Sequence, residues 1–297
     1  MPSLDELNMA LPARVYLNGE YLPAGSARIS VFDRGFVFGD GVYEVIPVYG
    51  GRPFRLTHHL QRLDASLASV RIPNPLNPGQ WHDIFRELIA EHGAVDQSIY
   101  LEITRGAAPR DHAFPATVTP TVFAYSQPLA YPAPEQIRSG VHAITVTDIR
   151  WTRCDIKAIA LLANVLMRQT AVESGCAEAI LIRNDRITEG AASNIFIVSR
   201  GSLVTPPKGP FILPGITRDL VIELARDHGI PCSERDILHS ELFAADEVWM
   251  TSSTKEILPI VRIDGRDIGG GRPGPALQRM LELYQDYKHA LRKGHAE

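Results

Sequence analysis

The sequence predicts an α+β fold of two domains, and three observations lead to this prediction. The chain has 297 residues, which is long for one domain and comfortable for two. Hairpin patterns alternate with helical patterns in both halves. A proline-rich stretch from Pro128 to Pro134 separates the halves and is the best candidate for a linker. We therefore expect a loose N-terminal arm at 1–12, a small α+β domain at 13–127, a linker at 128–135 and a larger domain at 136–297.

The first domain is predicted to begin with a hairpin that turns at Asn18 and Gly19, a pair typical of two-residue hairpin loops. A second hairpin is predicted to turn at Gly50 and Gly51, and Pro47 inside it indicates an edge strand or a bulge. Apolar periodicity and strand-forming runs define the rest of this half. The expected elements are hairpins at 15–22 and 42–56, helices at 56–70 and 81–92, and strands at 99–104 and 121–125.

The second domain is predicted to begin with a strand and to close with a helix. A helical segment follows Lys157 up to about Glu173, and Gly175 is suited to its end. Asn184 and Asp185 are predicted to form the turn between two strands. The expected strands are 141–146, 179–183, 194–198, 247–251 and 260–263, and the later helices are 216–228 and 275–287.

Composition and missing motifs exclude several classes of function. A net charge of −4 without a basic patch argues against a nucleic-acid partner. Three cysteines without a CxxC pair argue against disulfides or zinc and fit a reducing cytoplasm. No apolar stretch reaches membrane-spanning length, and the first residues lack the pattern of a signal peptide. Dinucleotide, P-loop, GxSxG and HExxH motifs are absent. We expect no metal, and interpret His58 and His59 as surface histidines of a helix.

The distribution of lysines draws attention to Lys157. The chain has five lysines and none precedes Lys157, whereas twelve arginines precede residue 151. The sequence turns apolar around Lys157, and partial desolvation favours a neutral, nucleophilic amine. Such an amine is what a Schiff base with an aldehyde cofactor requires. The alternative interpretation is a lysine at a helix start whose amine reaches solvent.

Three further groups could serve an aldehyde cofactor that carries a phosphate. Glu189 could pair with a pyridine nitrogen, although a solvated turn residue is the alternative. Gly215 precedes a helix whose first turn contains Ile216 and Thr217, and free N–H groups there favour an anion. Clustered hydroxyls at 251–254 and the guanidinium of Arg62 could add contacts to a phosphate.

A loop in the first half offers a candidate site for the substrate. Arg110 and His112 lie two residues apart, and such a pair can bind one carboxylate through a bidentate arginine and a further histidine donor. In the alternative interpretation Arg105 and Asp111 pair locally on a solvated loop. The residues alone leave both interpretations open.

Together these segments resemble the fold-type-IV pyridoxal-phosphate enzymes, the aminotransferases of class IV, and among them the D-amino acid transaminases most closely. The resemblance extends from about Val15 to Ile268. It implies a two-domain α+β fold with the cofactor in the interdomain cleft. It rests on seven stretches in this order, which are 33–45, 59–66, 104–112, 153–157, 188–190, 215–219 and 251–254.

The resemblance also implies roles for individual residues. Lys157, in the larger domain, would form the Schiff base with pyridoxal 5'-phosphate and shuttle the proton, and Glu189 would pair with the pyridinium. Tyr43 and Tyr100 would lie near the substrate. Arg110 and His112 would bind the substrate α-carboxylate from the neighbouring subunit, which implies a homodimer. The residues implied to hold the phosphate are Arg62, Ile216, Thr217, Ser252 and Ser253.

Some residues depart from the pattern of the family. Ala191 and Ala192 remove hydroxyls near the cofactor, Ser253 stands where close relatives have threonine, and Pro47 replaces a polar residue. The activity implied is a ping-pong transfer of the amino group from a D-amino acid, such as D-alanine, to a 2-oxo acid, such as 2-oxoglutarate. The alternatives are a branched-chain L-amino acid transaminase, an (R)-amine transaminase and aminodeoxychorismate lyase.

Overall fold

The structure, a computed structural model, describes residues 12–297, so the predicted arm lies almost wholly outside the described residues. The described chain divides into two compact units. Unit 1 contains residues 12–130, Ile156–Ala160 and Glu297, and unit 2 contains Tyr131–Asp155 and Leu161–Ala296. No helix within residues 12–297 is both long and apolar enough to cross a membrane.

Unit 1 is built on an antiparallel sheet of six strands, counted over the described residues, in the order β2-β1-β6-β5-β3-β4. The helices α2 and α3 contribute to the apolar core on one face of this sheet. The elements are β1 (Arg14–Leu17), β2 (Glu20–Pro23), α1 (Arg34–Phe38), β3 (Gly41–Tyr49), β4 (Arg52–Pro53), α2 (Leu56–Val70), α3 (Pro78–Ala90), β5 (Gln97–Thr104) and β6 (Thr121–Pro128).

Alternation along β3 gives the sheet of unit 1 two different faces. Val42, Glu44 and Ile46 are buried on the face that carries the helices, whereas Tyr43 and Val45 are half-buried on the other. Because successive side chains of a strand point to opposite faces, the neighbours Tyr43 and Glu44 belong to different environments.

The predicted elements of unit 1 are present, with one helix start displaced. The first hairpin turns at Asn18 and Gly19, which both have positive φ. Helix α3 begins at Pro78, three residues before the predicted start. Asn77 causes this earlier start, because its side chain accepts a hydrogen bond from the N–H of Gln80, whose side chain accepts one from Asn77 N–H in return. The short helix α1 was not predicted.

Unit 2 is built on a mixed sheet of nine strands, again counted over the described residues. The order is β12-β11-β10-β13-β14-β7-β8-β9, and β15 pairs with β14. The elements are α4 (Pro134–Ser139), β7 (Val141–Thr147), α5 (Leu162–Glu173), β8 (Glu178–Arg183), β9 (Arg186–Gly190), β10 (Asn194–Ser199), β11 (Ser202–Thr205), α6 (Ile216–Asp227), β12 (Cys232–Glu234), α7 (His239–Ala244), β13 (Glu247–Ser252), β14 (Glu256–Ile263), β15 (Arg266–Asp267) and α8 (Pro275–Arg292).

Two expectations about unit 2 were wrong. The turn at Asn184 and Asp185 leads from β8 into β9, which was not predicted, and not into the strand at 194–198. Strand β9 was missed because its five residues contain one large apolar side chain. Lys157, assigned from sequence to the larger domain, belongs to unit 1, since Ile156 lies in the core of that unit.

Candidate active site

The backbone of Lys157 is fixed against β3 in unit 1. Tyr43 donates its N–H to the carbonyl oxygen of Lys157 at 2.9 Å, and Lys157 donates its own N–H to Ser66 Oγ at 3.2 Å. Gly41 allows this approach, because a Cβ there would lie 2.9 Å from Ile159 Cδ1 and 2.7 Å from a backbone oxygen. Lys157 therefore has a defined backbone position, and its half-buried side chain differs from that of a solvated helix lysine.

The amine of Lys157 lies over an aromatic ring. Its Nζ is 3.9 Å from the centroid of the Tyr43 ring, a cation–π distance. Tyr43 stacks on Tyr100 with 5.8 Å between centroids, and Tyr100 stacks on Tyr125 at 5.3 Å. The structure thus brings together three predicted site residues, Lys157, Tyr43 and Tyr100, on one face of the sheet of unit 1.

A carboxylate lies beside these rings and was not predicted. Glu102 is the cross-strand neighbour of Tyr43, and its Oε2 accepts the hydroxyl hydrogen of Tyr100 at 2.7 Å. Burial raises the pKa of Glu102, although the hydrogen bond from Tyr100 opposes this effect. This face therefore combines aromatic walls with a carboxyl group that resists ionisation.

Arg62, a predicted phosphate ligand, is buried behind the opposite face of β3. Its Nε and Nη2 donate to the two oxygens of Glu44 at 2.8 and 2.7 Å. His59 Nδ1 lies 2.8 Å from Glu44 Oε2, while its Nε2 has no hydrogen-bond partner within the described chain. Burial disfavours ionisation of Glu44, but the charge and hydrogen bonds of Arg62, together with the hydrogen bond from His59, outweigh it and hold the pKa of Glu44 well below its usual range.

The surface location expected for the histidine pair was therefore wrong for His59, whose side chain is fully buried. His59 lies in the apolar stripe of α2, three residues after Leu56 and next to Leu60. Burial also lowers the pKa of His59, so we assign it as a neutral imidazole that donates to Glu44. Within residues 12–297 the structure contains no cluster of three or more His, Cys, Asp or Glu side chains that could hold a metal ion.

Arg110 and His112, the predicted substrate ligands, are exposed neighbours in unit 1. Both lie against Phe38, with Arg110 Cζ 5.3 Å and the His112 ring 5.4 Å from its centroid. The loop between them is fixed by Arg34, which donates to the carbonyl oxygen of Asp111 at 2.6 Å. A shared aromatic support and a fixed backbone can direct a guanidinium and an imidazole toward one anion.

Glu189 lies on β9 of unit 2 and is buried, so the interpretation as a solvated turn residue was wrong. Its Oε1 accepts a hydrogen bond from Arg150 Nη1, and its Oε2 accepts from Leu213 N–H at 3.0 Å and from Asn194 Nδ2 at 3.1 Å. Burial raises the pKa of Glu189 to about 7, against the opposing effects of Arg150 and Leu213. A carboxyl group with this pKa can exchange a proton near neutral pH.

Arg150 is bonded to the candidate site residue Glu189, and Asp148 is bonded to Arg150, but neither residue was predicted from the sequence. Arg150 donates through Nε and Nη2 to Asp148, both at 2.9 Å, as well as through Nη1 to Glu189. Asp148 directly follows β7, and two charged residues just past the end of a strand are the signal that could have indicated them. Burial opposes ionisation of Asp148, but its bonds to Arg150 outweigh this and lower its pKa.

The start of α6 in unit 2 has the features of an anion site. Gly215 precedes the helix without a side-chain cap, which leaves its first N–H groups available. A Cβ at Gly215 would lie 2.0 Å from Asn194 Oδ1, so only glycine fits there. Thr217 Oγ1 is buried and has no hydrogen-bond partner within the described residues. A buried orphan hydroxyl beside free N–H groups indicates a missing acceptor.

The clustered hydroxyls at 251–254, where β13 ends, differ from one another. Thr251 Oγ1 is buried without a partner in the described part of the chain. Ser252 Oγ accepts the N–H of Lys255 at 3.2 Å, which closes the turn, and Ser253 is half-buried. Thr251 pairs with Asn194 between β13 and β10. Unit 2 therefore connects this turn, through Asn194, to both Glu189 and Gly215.

Comparisons with known proteins agree on one family. The pattern that defines amino-transferase class IV matches residues 41–263. A D-alanine aminotransferase from Bacillus licheniformis is 41% identical over 273 residues, which cover 92% of this chain and 96% of that protein.

Solved structures lead to the same family. The branched-chain amino acid aminotransferase of Escherichia coli has a TM-score of 0.89 at 30% identity and covers 97% of both chains. A second branched-chain amino acid aminotransferase, solved with pyridoxamine 5'-phosphate, has a TM-score of 0.89 at 27% identity, covering 96% of this chain and 97% of that one. The chain belongs to the class IV aminotransferases, which depend on pyridoxal phosphate.

Proposed function

We propose that this enzyme transfers the amino group of a D-amino acid, such as D-alanine, to a 2-oxo acid, such as 2-oxoglutarate, in two alternating half-reactions. The observation that carries the proposal is the 41% identity, over 92% of the chain, to a D-alanine aminotransferase. Two branched-chain amino acid aminotransferases share the fold at 27–30% identity, so transfer from a branched-chain L-amino acid is the second candidate.

The residues present are suited to pyridoxal phosphate. When bound, this cofactor supplies an aldehyde that reacts with amines and a pyridinium ring that accepts the electron pair released at the substrate Cα. In unit 2 the α6 start and the orphan Thr217 hydroxyl suit a phosphate, and in unit 1 the half-buried Lys157 amine suits an aldehyde. We assign the phosphate to Ile216, Thr217, Ser252 and Ser253, with Arg62 as a further charge.

Three side chains carry the proposed chemistry. Lys157 Nζ would hold the aldehyde of the cofactor and, once free, would carry the proton of the substrate Cα. The Tyr43 ring under this amine keeps Nζ in position. Glu189, with its raised pKa, would hold a proton between its carboxyl group and the ring nitrogen of the cofactor.

We assign substrate recognition to Tyr43, Tyr100, Arg110 and His112. Arg110 and His112 bind the α-carboxylate, and we propose that they do so from the neighbouring subunit of a homodimer. In the single chain four large apolar residues between positions 29 and 36 are exposed, an area that a second subunit would cover. Light scattering should give twice the 32.8 kDa of one chain. A monomeric, active enzyme would contradict this assignment.

The three cysteines are free, which is the state that a reducing cytoplasm maintains, and we propose this compartment. Detection of the protein only in an oxidising compartment by cell fractionation would contradict the assignment.

The test of the function is a set of half-reactions followed through the absorbance of the bound cofactor. D-alanine and D-glutamate should convert the cofactor to its amine form, whereas L-leucine, (R)-phenylethylamine and aminodeoxychorismate should not. Lys157→Ala is the control, because it should bind the cofactor but not transfer a proton. Conversion by L-leucine and not by D-alanine would favour the second candidate over our proposal.

A further inference from the structure

The guanidinium of Arg150 is shared between two buried carboxylates. Nη1 donates to Glu189, whereas Nε and Nη2 donate to the two oxygens of Asp148. Nη2 also donates to the carbonyl oxygen of Phe211 at 3.1 Å. Glu189 therefore receives one N–H group of an arginine whose other side-chain hydrogen bonds are made elsewhere, mainly to Asp148.

Asp148 is itself held firmly in unit 2. Its N–H donates to the carbonyl oxygen of Ile182 at 2.9 Å, and Thr188 Oγ1 donates to Oδ2 at 3.0 Å. Arg183 Nη2 lies 3.2 Å from Oδ1, which also accepts the N–H of Arg150 at 3.0 Å. The end of β7, with β8 and β9, thus fixes the carboxylate to which Arg150 is bound.

The charges of this cluster balance. Asp148 and Glu189 provide two carboxylates, and Arg150 and Arg183 provide two guanidinium groups. Cys154 also faces the cluster but stays neutral, because burial raises its pKa to about 11. With both carboxylates ionised the cluster is neutral, so a protonated pyridine ring is the only excess positive charge it must accommodate.

We propose that Asp148 is a positioning residue that keeps a proton on the ring nitrogen of the cofactor by dividing Arg150 between two carboxylates. This inference rests on the proposed pairing of Glu189 with that nitrogen. Without the Asp148 carboxylate, Arg150 would turn two N–H groups toward Glu189, as Arg62 does toward Glu44. The cluster would also gain one net positive charge, and both changes disfavour a proton on the ring.

The experiment follows the protonation of the ring nitrogen directly. The holoenzyme is reconstituted with ¹⁵N-labelled pyridoxal phosphate, and the ¹⁵N chemical shift is recorded against pH. Asp148→Asn should lower the pH at which the ring nitrogen loses its proton by about one unit. Asp148→Glu, which retains the charge, should restore the midpoint. Arg150→Met should move it upward, because a positive charge is removed.

Two controls separate this role from a structural one. Asp264→Asn removes a carboxylate that accepts two hydrogen bonds from Thr145, and it should leave the midpoint unchanged. If the two substitutions only disorder the cluster, the midpoint pH of the ring nitrogen should shift in the same direction in Asp148→Asn and Arg150→Met. That outcome would overturn the proposal. Asp148→Ser, also neutral, takes the place of Asp148→Asn if circular dichroism shows that the latter does not fold.

Glu189→Gln separates failure of this inference from failure of the proposed function. If the ring nitrogen keeps its proton in Glu189→Gln, the proposed role of Glu189 is wrong, and the role of Asp148 is wrong with it. If Glu189→Gln loses the proton while Asp148→Asn titrates like the unaltered enzyme, only the inference about Asp148 is wrong.

Discussion

Two buried carboxylates, Glu44 in unit 1 and Glu189 in unit 2, are both bonded to an arginine but differ in their acidity. Glu44 receives two N–H groups from Arg62 and a third hydrogen bond from His59, and its pKa is held well below the usual range. Glu189 receives one N–H from Arg150 and two from the uncharged donors Leu213 and Asn194, and burial raises its pKa to about 7. The presence of an arginine therefore does not by itself determine the charge of a buried acid.

The difference in pKa follows from which carboxylates each arginine donates its hydrogen bonds to. Arg62 gives both carboxylate oxygens of Glu44 a donor, whereas Arg150 divides its donors between Glu189 and Asp148. A carboxylate that is fully paired is suited to a structural role, because its charge is already compensated. A carboxylate with a shared arginine can still accept a cation, which is what a pyridinium ring provides.

Replacement of Glu44 should give the largest effect on stability. Glu44→Gln leaves Arg62 buried without its counter-charge, and we expect the free energy of unfolding to fall by about 3 kcal/mol in urea denaturation. The matched control is Glu87→Gln, since Glu87 pairs with Arg14 at 3.3 Å in an exposed position and should contribute less than about 1 kcal/mol. Equal losses of unfolding free energy in Glu44→Gln and Glu87→Gln would contradict the expected difference between a buried ion pair and an exposed one.

The second-largest effect should be on how the free energy of unfolding depends on pH, which should differ between Glu189 and Glu44. In cofactor-free protein, the raised pKa of Glu189 favours the folded state below pH 4.5, and this contribution is lost as the pH rises through about 7. The stability of Glu189→Gln relative to the unaltered protein should therefore increase by about 3 kcal/mol from pH 4.5 to 7.5.

Glu44→Gln should show the opposite trend. The lowered pKa of Glu44 contributes stability above pH 4.5 that is lost on acidification, so the deficit of this variant should shrink as the pH falls below 4.5. Urea titrations across this pH range provide the measurement, and parallel curves for the two variants would contradict the difference in pKa between the acids.

The smallest effect should come from a hydroxyl that has no partner. Thr217→Val should leave the unfolding free energy of the cofactor-free protein unchanged, because Thr217 Oγ1 makes no hydrogen bond within the described residues. It should weaken pyridoxal-phosphate binding about tenfold in absorbance titrations. The control is Thr205→Val, which loses a hydrogen bond to the carbonyl oxygen of Ile195. It should lose about 1 kcal/mol of unfolding free energy without weaker binding of the cofactor.

The sequence allowed prediction of the features that depend on neighbouring residues. The fold class, the hairpin turn at Asn18 and Gly19 and the anion-type helix start at Gly215 all follow from local patterns. The roles assigned to Lys157 and Glu189 rest on the resemblance to a family and stay predictions.

Features that depend on pairing across the sheet could not be predicted. Arg150 reaches Glu189 because β7 pairs with β8 and β8 pairs with β9, although the two residues are 39 positions apart. The buried position of His59 could have been predicted, because it falls in the apolar stripe of α2. The surface location expected for His59 followed from its polar side chain and neglected its place in the apolar stripe.

The segment Ile156–Ala160 affects how this protein can be divided. Lys157 comes after the unit boundary at residues 130 and 131, yet its backbone is bonded to Tyr43 and Ser66, which come before it. A gene cut at this boundary would encode Lys157 on one polypeptide and its two backbone partners on the other. We therefore expect that the two polypeptides would have to associate before the backbone of Lys157 could take the position described above.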